Sequence, residues 1–140
     1  MNFSIPLNDG WLCTYFETES APYEFATDDT VVTLTQWSFD KRRAEGWMAW
    51  LQRSFRLDPT DFCVRYLLLI DSAPQKASIY VNDQHVADYN IGDDDPPFEL
   101  NVTYYVALED NTIAFRVSCD AMGQFARVRL QAIPCDDLPD

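Results

Sequence analysis

A chain of 140 residues, 47% apolar and 24% charged, has the composition of one globular domain and excludes disordered or collagen-like structure. Ten basic against twenty-three acidic residues leave a net charge of −13, which repels nucleic acid and anionic lipid at long range. Neither is expected as a partner, and no apolar run approaches the roughly 20 residues of a membrane helix.

Twenty aromatic residues against four glycines favour strands. From Met1 to Asp29, isolated aromatics between prolines and acids suggest short strands and loops. Thr30-Val-Val-Thr-Leu-Thr35 is β-branched enough for a strand, and the basic stretch Lys41 to Gly46 reads as a loop. Leu51, Arg53, Phe55 and Leu57 alternate along a strand that Asp58-Pro59 must end, because proline cannot continue a central ladder.

Phe62 to Ile70 is an unbroken, largely apolar run, as for a strand covered on both faces. Ala77, Ile79 and Val81 then alternate with Ser78 and Tyr80 up to Asn82-Asp83. Both of these residue types tolerate positive φ, so a tight hairpin turn and a return strand from Val86 to Asn90 are expected. Ile91 to Pro97 is a polar loop. Phe98, Leu100 and Val102 alternate next, Glu109-Asp110-Asn111 reads as a turn, and Ile113, Phe115 and Val117 face inward. The last strand carries Ala126, Val128 and Leu130, and Asp136 to Asp140 reads as a frayed tail. Strands this regularly spaced, with no convincing helix, imply a single all-β domain built as an antiparallel β-sandwich.

Cys13, Cys63, Cys119 and Cys135 form no CxxC pair and have only His85 for company, so zinc is disfavoured. The opening Met-Asn-Phe-Ser-Ile-Pro-Leu lacks the basic and long apolar regions of a signal peptide, so reduced thiols and a cytoplasmic location are expected.

Four fragments then occur in a telling order: Trp50-Leu-Gln-Arg-Ser-Phe55, Ala77-Ser-Ile-Tyr-Val-Asn82, Pro97-Phe-Glu-Leu-Asn-Val-Thr103 and Asn111-Thr-Ile-Ala-Phe-Arg-Val117. Together with Gly123, Val128 and Leu130 they resemble the N-terminal sugar-binding jelly-roll domain of glycoside hydrolase family 2, the β-galactosidase and β-glucuronidase relatives. The likeness covers about residues 47 to 131. It departs from the family pattern at Asp83 for the hairpin glycine, Asn101 for the acid of the Pro-Phe strand, and Ala126 for the arginine of the exit strand. The resemblance implies a jelly-roll-like sandwich of the galactose-binding-domain-like type. It also implies that the catalytic glutamates belong to a separate barrel domain, so a non-catalytic module is expected.

Sugar recognition combines an aromatic platform with groups that bond hydroxyls. Trp47, Trp50, Arg53, Tyr104 and Tyr105 are the candidates; Trp37, Trp47 and Trp50 flank the loop Lys41 to Gly46, where function is most expected. His85 reads as an exposed residue past the hairpin turn. No cofactor is expected. A structural calcium at Asp93-Asp94-Asp95 is the weaker alternative, since adjacent acids seldom all point at one ion. The expected partner is a carbohydrate; the alternative is a protein-interaction or structural domain that kept the sandwich, associating with a partner or with itself.

Overall fold

Ten strands pair into two antiparallel sheets in the computed structural model, which describes residues 3–17, 30–39, 46–60, 62–89 and 98–135. They are β1 (Phe3–Pro6), β2 (Trp11–Glu17), β3 (Thr30–Val32), β4 (Trp47–Leu57), β5 (Val64–Ile70), β6 (Ser78–Val81), β7 (Gln84–Asp88), β8 (Phe98–Asn101), β9 (Glu109–Ser118) and β10 (Val128–Pro134). The smaller sheet runs β1-β10-β5-β8 and the larger β3-β2-β4-β9-β6-β7. Most neighbours are not consecutive in sequence, as a jelly-roll-like sandwich requires. Among the described residues no helix is long and apolar enough to cross a membrane.

The alternation read from the sequence supplies the core. Trp11, Leu51, Ile79 and Phe115 project from the larger sheet, and Leu68, Ile70, Val128 and Leu130 from the smaller, all essentially inaccessible to water. Burying one such side chain contributes about 1.5–3 kcal/mol. Trp11 also satisfies its indole N–H on the Leu7 carbonyl at 2.8 Å. Among the elements, the expected strand over 30–35 stops at Val32, because Leu34 turns into the core through a 3-10 turn and donates its N–H to Asn8. Glu109 to Asn111, expected as a turn, instead opens β9: only Glu109 keeps a turn-like backbone (φ 75°), and all three pair with β4. The loop 41–45 and the tail 136–140 lie outside the described residues.

The hairpin forms where expected, with Asn82 (φ 50°) and Asp83 (φ 67°) both left-handed, the conformation of a type I′ turn. Asn82 does more than turn the chain. Its amide donates to the Tyr105 carbonyl and to Asn111 Oδ1 (2.8 and 2.9 Å), while its own Oδ1 accepts from Thr112 N–H. Asn111 is 3% exposed; it accepts from Ala107 N–H at 2.6 Å and donates back to the Ala107 carbonyl at 2.8 Å. A second bracket holds the smaller sheet, where Asn101 Oδ1 accepts from the N–H and hydroxyl of Thr103, and the Thr103 hydroxyl oxygen accepts from Tyr66 N–H.

The cysteine expectation is overturned for one pair. Cys63 and Cys135 form a disulfide with Cα atoms 5.4 Å apart, and Cys135 N–H donates to the Cys63 carbonyl at 3.0 Å. The physical reason is register: Val64 pairs with Pro134, so the antiparallel ladder of β5 and β10 places the next residues out, Cys63 and Cys135, face to face. A separation of 72 residues carries no such signal in the sequence. Cys63 is exposed, and Cys13 and Cys119 stay reduced thiols as expected.

Replacing Cys63 and Cys135 with serine should lower stability by about 2–4 kcal/mol, a fall in thermal midpoint of about 10 °C. Equal midpoints with and without reductant would show that the bridge does not form. Asn111→Ala should cost about 2–4 kcal/mol, because it removes the buried amide that joins the Asn82 turn to the loop at Ala107. In a double-mutant cycle with Asn82→Ala, denaturant titrations should reveal a coupling of about 1–3 kcal/mol. Strict additivity would show that the two amides act separately.

Candidate functional site

Strand alternation sorts the outward-facing residues of the larger sheet into rows. Across β2, β4, β9, β6 and β7, one row reads Thr14, Trp50, Arg116, Ser78 and Asp88; the next reads Leu12, Gln52, Ala114, Tyr80 and His85. Trp50 and Tyr80 sit on opposite sides of Ala114, whose methyl group is too small to hold them apart. Their rings meet with centroids 5.1 Å apart, and Ala114 is 3% exposed. The Trp50 indole N–H donates to Gln52 Oε1 at 3.0 Å, which fixes the ring. Arg116 lies with its guanidinium 5.8 Å from the Phe16 ring centroid, and its Nε is buried without a hydrogen-bond partner.

On the far side of Tyr80, a bulge changes what the edge strand presents. Tyr80 pairs with His85 but Ile79 pairs with Ala87, so Val86 is the extra residue. His85 and Asp88 are three apart and would otherwise lie on opposite faces; the bulge brings both outward. His85 Nε2 and Asp88 Oδ1 are 2.8 Å apart, and the imidazole lies 5.3 Å from the Tyr80 ring. The hydrogen bond from His85 holds the Asp88 carboxyl below the usual range against the opposing effect of burial, with a lesser contribution from Ser78.

One row beyond Gln52 and Ala114, about 7 Å along the strands, β4 and β9 open into a pocket of 420 Å³. It is lined by Ser54, Phe55, Arg56, Asp110, Asn111 and Thr112. Ser54 and Thr112 face each other across the ladder, as do Arg56 and Asp110. An aromatic pair that ends in a hydroxyl-, guanidinium- and carboxylate-lined pocket has the parts a sugar needs: an apolar surface for a C–H face, and donors and acceptors for hydroxyls.

The residues singled out from sequence do not gather in one place. Trp50 lies on this outer face. Trp47 and Arg53, at odd positions of the same strand, share the inward register of Ala49 and Leu51. Arg53 donates from Nε to the Asp9 carbonyl at 2.7 Å, which ties β4 to the turn before β2. Tyr104 stands 94% exposed on the loop after β8, while its neighbour Tyr105 packs on the core. Trp37 is buried against Phe39 and Phe125. The loop 41–45 and Asp93 to Asp95 lie outside the described residues. Tyr80, Gln52, Ser54, Arg56 and Thr112 were legible only as outward positions alternating with core residues, which is the signal that finds them, and Asp110 was hidden in the stretch that the sequence suggested as a turn.

The fold is shared with solved glycosidases. Bacteroides uniformis beta-glucuronidase 2 matches with a TM-score of 0.71 and 21% identity, over 96% of this chain and 18% of its own. The Dictyoglomus thermophilum beta-D-glucuronidase gives 0.68 and 13%, over 96% and 28%. A glycosyl hydrolase family 2 member from Bacteroides cellulosilyticus gives 0.65 and 20%, over 94% and 21%. This chain therefore spans less than a third of the length of each. At these identities the likeness is one of fold. No family model matches the sequence, and no curated protein is significantly similar to it.

The pair on β7 gives the face a pH signature. A carboxyl whose folded pKa lies below its unfolded value adds stability above the unfolded value, about 3.9, and loses it as pH falls through the folded one. Asp88→Asn should therefore be less stable than the native chain at mildly acidic and neutral pH, with the difference closing as the medium is acidified below that range. Urea midpoints across the acid limb check this, and a gap that persists in strong acid would show that the ionised carboxylate is not the source.

Proposed function

We propose that this chain is a non-catalytic carbohydrate-binding domain of the kind built into family 2 glycoside hydrolases, and that it binds sugar on the outer face of the larger sheet. The observation that carries the reading is the Trp50–Tyr80 pair, held over Ala114 and continuous with the polar pocket of β4 and β9. The shared fold supports it, as does the short span of the matching glycosidases that the chain covers. Hydrolysis of a glycosidic bond needs two carboxyl groups poised across it; the resemblance assigns these to the barrel of such enzymes and not to the sandwich. The Cys63–Cys135 bridge favours an oxidising compartment over the cytoplasm.

A second reading, a protein-interaction domain, draws on a different place. Tyr104 and Leu108 stand 94% and 64% exposed on the loop between β8 and β9.

Thermal unfolding against a panel of oligosaccharides separates the two. A ligand at 100 times its dissociation constant adds about 2.7 kcal/mol, several degrees in midpoint for a domain of this size. Trp50→Ala and Tyr80→Ala should each abolish that shift, whereas Tyr104→Ala should leave it intact. A flat panel sinks the sugar reading for the classes tested, and loss of the shift only in Tyr104→Ala moves the site to the loop.

A further inference from the structure

The pocket beside the aromatic pair has a charge pattern that selects among sugars. Its one guanidinium, Arg56, is already surrounded. Nε faces Asp58 Oδ1 at 3.8 Å, Nη2 faces Glu109 Oε1 at 3.9 Å, and Nη1 faces Asp110 Oδ1 at 4.0 Å. None of these contacts is short enough for a hydrogen bond, but a different carboxylate lies within 4.0 Å of each nitrogen, so an incoming carboxylate meets a guanidinium whose charge three others already offset. Three acids against one base leave the mouth of the pocket at −2, within a protein that carries −13. The remaining polar lining is suited to hydroxyls: the Ser54 and Thr112 side chains, and Asp110 as an acceptor. The Asn111 amide is committed to Asn82 and Ala107 and offers nothing to a ligand.

Resting on the carbohydrate reading above, we propose that this pocket takes neutral sugars and rejects those bearing a carboxylate. The expectation runs opposite to the one that the names of the similar solved structures invite. A uronate entering the pocket brings a fourth carboxylate to a single guanidinium and meets a local charge of −2. A neutral sugar meets neither penalty and keeps every hydroxyl contact.

The test is a matched pair of probes, p-nitrophenyl β-glucoside and p-nitrophenyl β-glucuronide, which differ only in a hydroxymethyl group against a carboxylate. Both are titrated into the isotope-labelled chain by NMR. The glucoside should shift the Trp50 indole, Ser54 and Thr112 resonances, and the glucuronide should bind about tenfold more weakly at low ionic strength, with the gap narrowing as salt is added. In a double variant, Asp58→Asn with Glu109→Gln, which changes no group lining the pocket, the gap should shrink by about threefold. Equal or tighter binding of the glucuronide overturns the selectivity and leaves the carbohydrate reading standing. Binding of neither probe, with a flat oligosaccharide panel, overturns both. Glucoside binding that shifts only resonances away from β4 and β9 overturns the assignment of this pocket.

Discussion

The hydrogen bond between Asn82 and Asn111 is the constraint from which the arrangement of the larger sheet follows. Asn82 occupies a left-handed turn position and Asn111 the buried start of β9, so their contact locks a local conformation to a long-range pairing. Two residues on, Ile113 meets Val81, and one further, Ala114 meets Tyr80. That register decides that an alanine, and not a bulky residue, lies between Trp50 and Tyr80. The same inward-pointing amide obliges its neighbours Asp110 and Thr112 to point outward, where they line the pocket. A polar pair with one buried member and several bonds on each side tolerates few alternatives, and here the hairpin, the loop after β8 and the candidate site share one set of bonds.

The bulge at Val86 is the second device, and it acts on chemistry more than on stability. Without the extra residue, an edge strand would offer either His85 or Asp88 to the outer face; with it, the face gains a paired imidazole and carboxylate against an aromatic ring. An edge strand is otherwise a template for pairing with another chain, and a bulge with charged residues is one of the ways such edges are blunted. The same local irregularity therefore serves the site and protects the sheet.

Much of this was legible in the residues. The period-2 pattern located β4, β6, β9 and β10, and the Asn-Asp dipeptide located the hairpin, because both are dictated by local sterics and burial. The asparagines at 82 and 111, which end one of the quoted fragments and open another, proved to be bonded to one another. The candidate site was only partly legible. Trp47, Trp50 and Arg53 are near neighbours in sequence, yet a strand sends Trp50 to one side and the other two to the opposite side. Proximity in sequence misleads wherever the backbone alternates. The disulfide was invisible for the converse reason: it depends on a register between strands far apart in the chain, and the spacing of cysteines does not encode it.

That bridge also changes how the domain answers mechanical load. β10 lies between β1 and β5, pairing with β5 along its whole length and with β1 from Arg129 to Ala132. An antiparallel strand pulled from one end normally peels away one hydrogen bond at a time, each broken bond exposing the next. Tension arriving from beyond Cys135 instead passes through the sulfur atoms into the segment that opens β5, so the force is divided between two paired strands before the first ladder bond is strained. Peeling from that end is blocked, and the sheet must yield by sliding strands past one another, which breaks many bonds together. A domain so fastened resists unravelling from the Cys135 end of β10.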